Sequence, residues 1–379
     1  MFIIVFTLII NRMNQQRAGG LLGQGVYGCA FTPALVCKNK NTNNPNNTKK
    51  NKQSYVGKLT IKEDAEHEYE ISQVLKELPY AKEYFVLIND ICTLKPRTKQ
   101  KNTNIDACKL LDTENISDVH QLIMPFGGTP LSKIESSLKI YDFIHIGQQI
   151  LEAGTLLLLG KIVHGDLHSM NLLIDEKGQL RIIDFGLAWM PEALTLSNIY
   201  LLDRRFQPHI TQQSPECVVI SGLQEKNTME FILASMAERK LAMTLIYKLT
   251  GLTLDKQLAD LEVFTRSSES FRKMDLYSFY KIYWSKIDAW AYGCLLLTLF
   301  TNSIVNNLWS DKEMNSKYNV ILNCILGLCE MDPGKRLNAV EALEIWAPNS
   351  KILELPEVQE LLMKSKNIRR EFMNKIGTQ

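Results

Sequence analysis

The chain divides by the rhythm of its apolar positions. Gly19 to Lys38 reads as a strand, a glycine turn and a second strand. Asn39 to Gln53 is rich in Asn and Lys and nearly free of apolar residues, the composition of a loop. Tyr55 to Ile61 predicts a short apolar strand. From Glu63 to Leu78 the apolar residues stand at 71, 74, 75 and 78, which is helical spacing, and Pro79 closes the helix. Phe85 to Leu94 reads as strand and Lys95 to Asn104 as a polar loop. Val119 to Phe126 reads as a strand ending on Gly127 and Gly128.

Beyond Gly128 the pattern turns helical. Ser137 to Leu159 predicts one long helix, and Ile162 to Asp184 alternates short strands and turns. Pro191 to Gln213 has no period and reads as a long loop. Thr228 to Leu249 and Leu254 to Phe264 are helical, followed by a third helix toward Trp284. Ile287 to Phe300 is nearly all apolar, but a membrane span takes about 20 residues, so a buried core helix is expected. The remainder is helical and ends in a charged tail. No internal repeat is present. Strands first and helices after predict an α+β fold, a small β-rich lobe followed by a larger helical one.

Composition narrows the picture little. The 379 residues, 45% hydrophobic and 22% charged, are ample for a buried core and exclude a wholly disordered chain. A net charge of +2 creates no field that would recruit nucleic acid or an anionic membrane, so neither is expected as a partner. Eight cysteines without a C-x-x-C pair argue against a zinc site, and reduced thiols in a cytosol-like compartment are expected. Phe2 to Ile10 is apolar but too short to span a bilayer, and it lacks the flanks of a signal peptide. Two readings stand. It is a short packed strand or tail, or translation starts at Met13 and residues 1–12 are a start-site artefact.

The candidate chemistry begins at Gly23-Gln24-Gly25-Val26-Tyr27-Gly28, a G-x-G-x-x-G. Alone it is a common glycine turn. Its chemical use is to bring backbone N–H groups to a phosphate without Cβ obstruction. Strand-like Cys29-Ala30-Phe31 follows it, so a phosphate-covering hairpin is preferred over a turn that opens a helix. Lys58 on the next strand is either a solvated lysine or a cation for those phosphates, and a helix carboxylate would hold it. Glu66, Glu68 and Glu70 each offer one. Taking Val74 as core-facing selects Glu70, with Glu68 close behind.

His164-Gly165-Asp166-Leu167-His168-Ser169-Met170-Asn171 sets an acid and an amide five residues apart, and Asp184-Phe185-Gly186 follows 13 residues later. A carboxylate that accepts a hydroxyl proton, beside an amide and a second carboxylate that bind Mg²⁺, meets the needs of phosphoryl transfer. Turn capping by Asp and Asn is the structural alternative, and it does not account for the order and distance of the two segments.

With these residues the chain resembles the protein kinase superfamily from about Leu21 to about Trp346. Ser214-Pro215-Glu216 is similar to the motif that ends the activation segment, Asp288 to Gly293 to the start of the central buried helix, and Asp332-Pro333 with Arg336 to a late D-P-x-x-R element. The resemblance implies ATP and Mg²⁺ as cofactors and protein substrates with Ser or Thr hydroxyls. It implies Asp166 as base, Asn171 and Asp184 on the metal, and Lys58 with Glu70 on the phosphates. Leu22, Gly23, Gly25 and Gly28 would cover the nucleotide. Ala30, Val56 and Leu173 would sandwich adenine, with Met124 as gatekeeper and Phe126 in the hinge. Glu216 would pair with Arg336, and Asp288 would be structural.

The implied domains are an extension 1–12, an N-lobe 13–126 with a loop 39–53, a C-lobe 127–349 and a helical tail 350–379. A helical insertion at about 217–286, longer than the family usually carries there, is either a docking surface or extra packing. The Asn-rich loops and the long insertion resemble Ser/Thr kinases of large nucleocytoplasmic DNA viruses, which implies host cytoplasm or virion as location.

Two departures matter. Gly165 stands where many of these kinases carry an Arg that reads a phosphorylated loop. His168 replaces a usual Lys, and H-G-D-L-H-x-x-N also resembles small-molecule kinases of the aminoglycoside and lipopolysaccharide type. A small-molecule phosphotransferase and a pseudokinase scaffold are the alternatives. The oligomeric state is unspecified.

Overall fold

The computed structural model describes residues 20–25, 28–38, 55–100, 104–306 and 312–376. Phe2–Ile10, the Asn/Lys-rich loop 39–53 and the pair Val26 and Tyr27 lie outside the described residues. Two compact units emerge. The first holds the chain up to Thr129 with Leu173–Glu176 and Arg181–Gly186. The second holds Pro130–Leu172, Lys177–Leu180 and the chain from Leu187 onward. The division is the α+β one expected, strand-rich first and helical second.

The first unit is built on an antiparallel sheet in the order β1-β2-β3-β5-β4. Its strands are β1 (Gly20–Gln24), β2 (Cys29–Thr32), β3 (Tyr55–Ile61), β4 (Asp90–Thr93) and β5 (Val119–Pro125). Register fixes which side chains share a face. Ala30 pairs with Lys58, and Lys58 with Leu122, so these three point one way. Cys29 pairs with Leu59 and points the other. On the Lys58 side, α1 (Lys62–Lys76) packs Ala65 against Leu122 and Ile88. No side chain caps that helix, but Glu63 and Asp64 in its first turn complement the helix dipole. On the opposite face Cys29, Phe31, Leu59, Leu94, Ile105, Cys108 and Val119 form a second cluster. The short helices α2 (Ala81–Tyr84) and α3 (Leu110–Thr113) complete the unit. Phe85–Leu94 is a strand only from Asp90, because Val86 N–H donates instead to the carbonyl of Ile182.

The expectation of reduced thiols is corrected here. Cys29 and Cys108 form a disulfide, as do Cys37 and Cys92, with Cα atoms 5.8 and 5.9 Å apart. The partners are 79 and 55 residues apart in sequence and meet only through the sheet and its loops. The ground for expecting a cytosol-like compartment is thereby removed.

A second sheet runs β6 (Thr129–Pro130), β7 (Leu172–Ile174) and β8 (Leu180–Ile182). The helices that follow Pro130 are α4 (Ile140–Leu159), α5 (Pro215–Gln224), α6 (Met229–Arg239), α7 (Leu241–Thr250), α8 (Leu254–Ser267), α9 (Glu269–Arg272), α10 (Leu276–Val305), α11 (Lys312–Leu328), α12 (Ala339–Trp346) and α13 (Pro356–Ile376). Local chemistry sets several boundaries. Ser214 precedes Pro215 at the first position of α5, where the missing N–H is harmless. Thr253 caps α8, Asp275 caps α10, and Asn338 with Glu341 forms a capping box on α12. The separate helix toward Trp284 and the core helix 287–300 are one element, α10, because no Gly or Pro interrupts residues 284–287. Its residues Ala289 to Leu297 are all buried. Among the described residues no helix is long and apolar enough to cross a membrane.

Candidate active site

Within the first unit, the hairpin β1–β2 is the expected strand-turn-strand. Leu22 and Gly23 lie on β1, and Gly25 N–H donates to the carbonyl of Gly28 at 2.8 Å. A Cβ at Gly28 would stand 2.0 Å from the Leu59 carbonyl oxygen, so only glycine lets the turn run this close to β3.

Lys58 on β3 is ion-paired with two carboxylates of that unit. Its Nζ donates to Glu68 Oε1 and, at 2.6 Å, to Asp184 Oδ1. The expected partner Glu70 is corrected by this geometry. Glu70 is exposed, whereas Glu68 is buried on the α1 face that meets the sheet. Burial alone would lower the Lys58 pKa, but the Glu68 and Asp184 charges outweigh it and hold the ammonium above its usual value. Burial pushes the Glu68 carboxyl up, and Lys58 opposes it. Asp184 sits at φ 68°, a left-handed conformation uncommon outside glycine. Phe185 next to it is buried edge-on against Phe85, ring centroids 6.1 Å apart.

The apolar candidates also lie on this sheet or beside it. Val56 pairs with Met124 in the β3–β5 register, and Leu173 lies against Gly127. Phe126 is half-exposed at the end of β5.

The second unit holds the other set. His164 and Gly165 donate their backbone N–H groups to Asp288 on α10, at 2.6 and 3.0 Å. Burial raises the Asp288 pKa, and His164 with those two N–H groups counters it. The loop is fixed again by Asn171, whose side-chain N–H donates to the Asp166 carbonyl at 2.9 Å. The Asp166 carboxylate is half-exposed. His168 Nε2 lies 3.6 Å from that carboxylate. Gly165 has φ 75°, and a Cβ there would stand 2.8 Å from the Leu187 carbonyl oxygen. An Arg in this backbone would therefore be strained as well as absent.

Glu216 and Arg336 form a fully buried two-pronged pair, both N–H···O distances 2.8 Å. Arg336 also donates to the Glu330 and Lys286 carbonyls. Lys286 returns a bond to the Arg336 carbonyl at 2.6 Å and pairs with Glu341 at 3.3 Å. Burial lowers the Lys286 pKa to about 8 despite Glu341. Sequence reasoning missed Lys286 and the equally buried Lys240. Neither belongs to a motif, and a lone lysine in a helical pattern reads as solvated.

Asp184 in the first unit and Asn171 in the second each carry a hard oxygen of the kind Mg²⁺ takes. No cluster of three His, Cys, Asp or Glu side chains able to hold a metal occurs among the described residues. Mg²⁺ commonly takes one or two protein carboxylates and completes its shell with phosphates and water, so a single partly exposed carboxylate such as Asp184 is of a kind that fits it.

Part of the chain is similar to known proteins. Residues 17–199, a little under half of the chain, match the protein kinase domain model. A serine/threonine-protein kinase of Candida glabrata is 38% identical over 71 residues, which cover 18% of this chain and 11% of that protein. The chain thus aligns with only a small part of that relative's length. The chain is similar to protein kinase domains over the stretch that carries the glycine turn, Lys58, Asp166, Asn171 and Asp184, and its fold is the α+β, two-lobed one of that class.

Proposed function

We propose that this protein is an ATP-dependent, Mg²⁺-requiring protein kinase acting on Ser and Thr hydroxyls. The observation that carries the reading is Lys58 held by both Glu68 and Asp184. A solvated surface lysine has no need of a buried carboxylate, whereas a phosphate-binding lysine must be held in position before the nucleotide arrives. In this reading Lys58 binds the α and β phosphates, and the hairpin at Gly23, Gly25 and Gly28 covers them. Ala30, Val56 and Leu173 flank the adenine, with Met124 and Phe126 at the hinge. Asp184 and Asn171 would hold Mg²⁺, and the metal would supply neutralisation of charge on the phosphate oxygens. Asp166 accepts the proton of the attacking hydroxyl.

The small-molecule alternative draws support from His168 beside Asp166. The buried Glu216–Arg336 pair and the clasp of Asp288 on His164 and Gly165 favour the protein kinase. The scaffold alternative leaves the pairing of Lys58, and the Asp166–Asn171 turn, without a purpose.

The test is transfer of radiolabelled γ-phosphate from Mg²⁺-ATP to mixed protein substrates. Label is expected on phosphoserine and phosphothreonine, falling by roughly 10²–10⁴-fold in Asp166→Ala. Label on an aminoglycoside with none on protein would contradict the reading, as would equal transfer by the variant.

A further inference from the structure

The helical insertion carries a side chain that reaches out of it. Lys240 lies at the junction of α6 and α7 and is fully buried. Its Nζ donates to the carbonyl of Ile210 at 3.0 Å and to that of Gln213 at 2.6 Å. The same ammonium lies 5.5 Å from the ring centroid of Trp290 on α10. Trp290 Nε1 donates to the carbonyl between them, that of Thr211, at 2.8 Å, and the Cys294 thiol lies 3.2 Å from the same oxygen. Within residues 210–213 three carbonyls are thus held by side chains from the insertion and from α10. This stretch directly precedes Ser214-Pro215-Glu216, whose glutamate is locked by Arg336.

A buried ammonium is expensive unless its donors are satisfied, so its persistence here points to a use. Burial lowers the Lys240 pKa to about 8, partly offset by Cys294 and Glu216, which leaves the ammonium the major form at neutral pH. Kinase activation loops are commonly ordered by phosphorylation, through new pairs between the phosphate and arginines. In this chain Gly165 has neither the side chain nor the backbone conformation for such a pair.

We infer that Lys240 is a positioning residue: the insertion supplies, from within the chain, the cation that fixes residues 210–213, so that this end of the loop is ordered without phosphate. The functional half of this inference rests on the protein kinase reading, and the structural half does not. The insertion is accordingly more than packing, because its junction ties down the segment next to the Glu216 motif.

Two measurements decide the matter. Hydrogen exchange on phosphate-free wild-type protein is expected to show peptides spanning 207–214 exchanging clearly more slowly than the exposed stretch Leu196–Leu201. Exchange as fast as at exposed Leu196–Leu201 would overturn the inference, and this arm needs no variant. In Lys240→Met, protection at 207–214 is expected to fall while α10 keeps its own. The KM for a protein acceptor should rise roughly tenfold with the KM for ATP unchanged. Unchanged acceptor KM and unchanged exchange in the variant would reduce Lys240 to packing. If the variant does not fold, the wild-type exchange result stands as the deciding one. A wild type that is protected at 207–214 yet transfers no phosphate would instead refute the kinase reading and leave the tether intact.

Discussion

The two units use the same residue types in opposite ways. In the first, four cysteines are joined as Cys29–Cys108 and Cys37–Cys92, and the apolar residues split into two clusters on opposite faces of one sheet. In the second, Cys217, Cys294, Cys324 and Cys329 are all buried free thiols. Two of its ion pairs are buried too, Glu216 with Arg336 and Lys286 with Glu341, whereas the Lys58 pairs of the first unit leave Asp184 partly exposed. A small divided core gains most from cross-links that restrict the unfolded chain. A larger helical core can bury its cysteines as small apolar residues and carry internal charges within its packing.

Reduction should break the comparison most visibly. Each disulfide closes a long loop and contributes roughly 4 kcal/mol in the chain-entropy model. Treatment with a strong reductant should therefore release hydrogen-exchange protection in β1–β5 and leave α4, α10 and α12 protected. Equal loss in both regions would show that the staples do not belong to one unit alone.

Next in size is the buried pair of the second unit. Arg336→Met leaves Glu216 as an uncompensated buried charge and should destabilise by roughly 3–5 kcal/mol. Adding Glu216→Gln removes that charge and should restore much of the loss, read as denaturation midpoints. A single variant as stable as wild type would show the pair to be ornamental.

The effect confined to alkaline pH concerns the thiols. Burial pushes Cys324 up from 9.0 to about 12. The unfolded chain releases this proton first, so the contribution is fully present below about pH 9 and is lost as pH rises toward about 12. The stability of wild type should therefore decline relative to Cys324→Ala between these limits, by at most about 1.4 kcal/mol per pH unit. Parallel pH profiles for the two proteins would remove the thiol from the account.

Much of this was legible in the sequence, and the gaps have physical reasons. Lys58, Asp166, Asn171, Asp184, Glu216, Asp288 and Arg336 could be singled out because each lies in a short local motif. The glutamate partner was a matter of helical phase. Val74 served as the reference for the buried face, but Ala65, Ile71, Ser72 and Leu75 define it, and Glu68 falls among them at three- and four-residue steps. The disulfides were invisible because their partners meet only after strand pairing, and spacing along the chain carries no trace of it. Lys240 and Lys286 were invisible for a related reason. Their partners are carbonyls and a glutamate brought from elsewhere in the sequence. Helix α10 ran longer than its apolar segment because the preceding turns, from Leu276, continue the same helix.

The most direct test of the account compares Glu68→Gln with Glu70→Gln for phosphoryl transfer from Mg²⁺-ATP to a protein acceptor. Loss of the carboxylate that holds Lys58 should lower kcat/KM by roughly 100-fold, about 2.7 kcal/mol of transition-state stabilisation. Glu70→Gln should stay within about twofold of wild type, because Glu70 is exposed and forms no part of the Lys58 pairing. A large loss in Glu70→Gln with Glu68→Gln unaffected, or no loss in either, would contradict it.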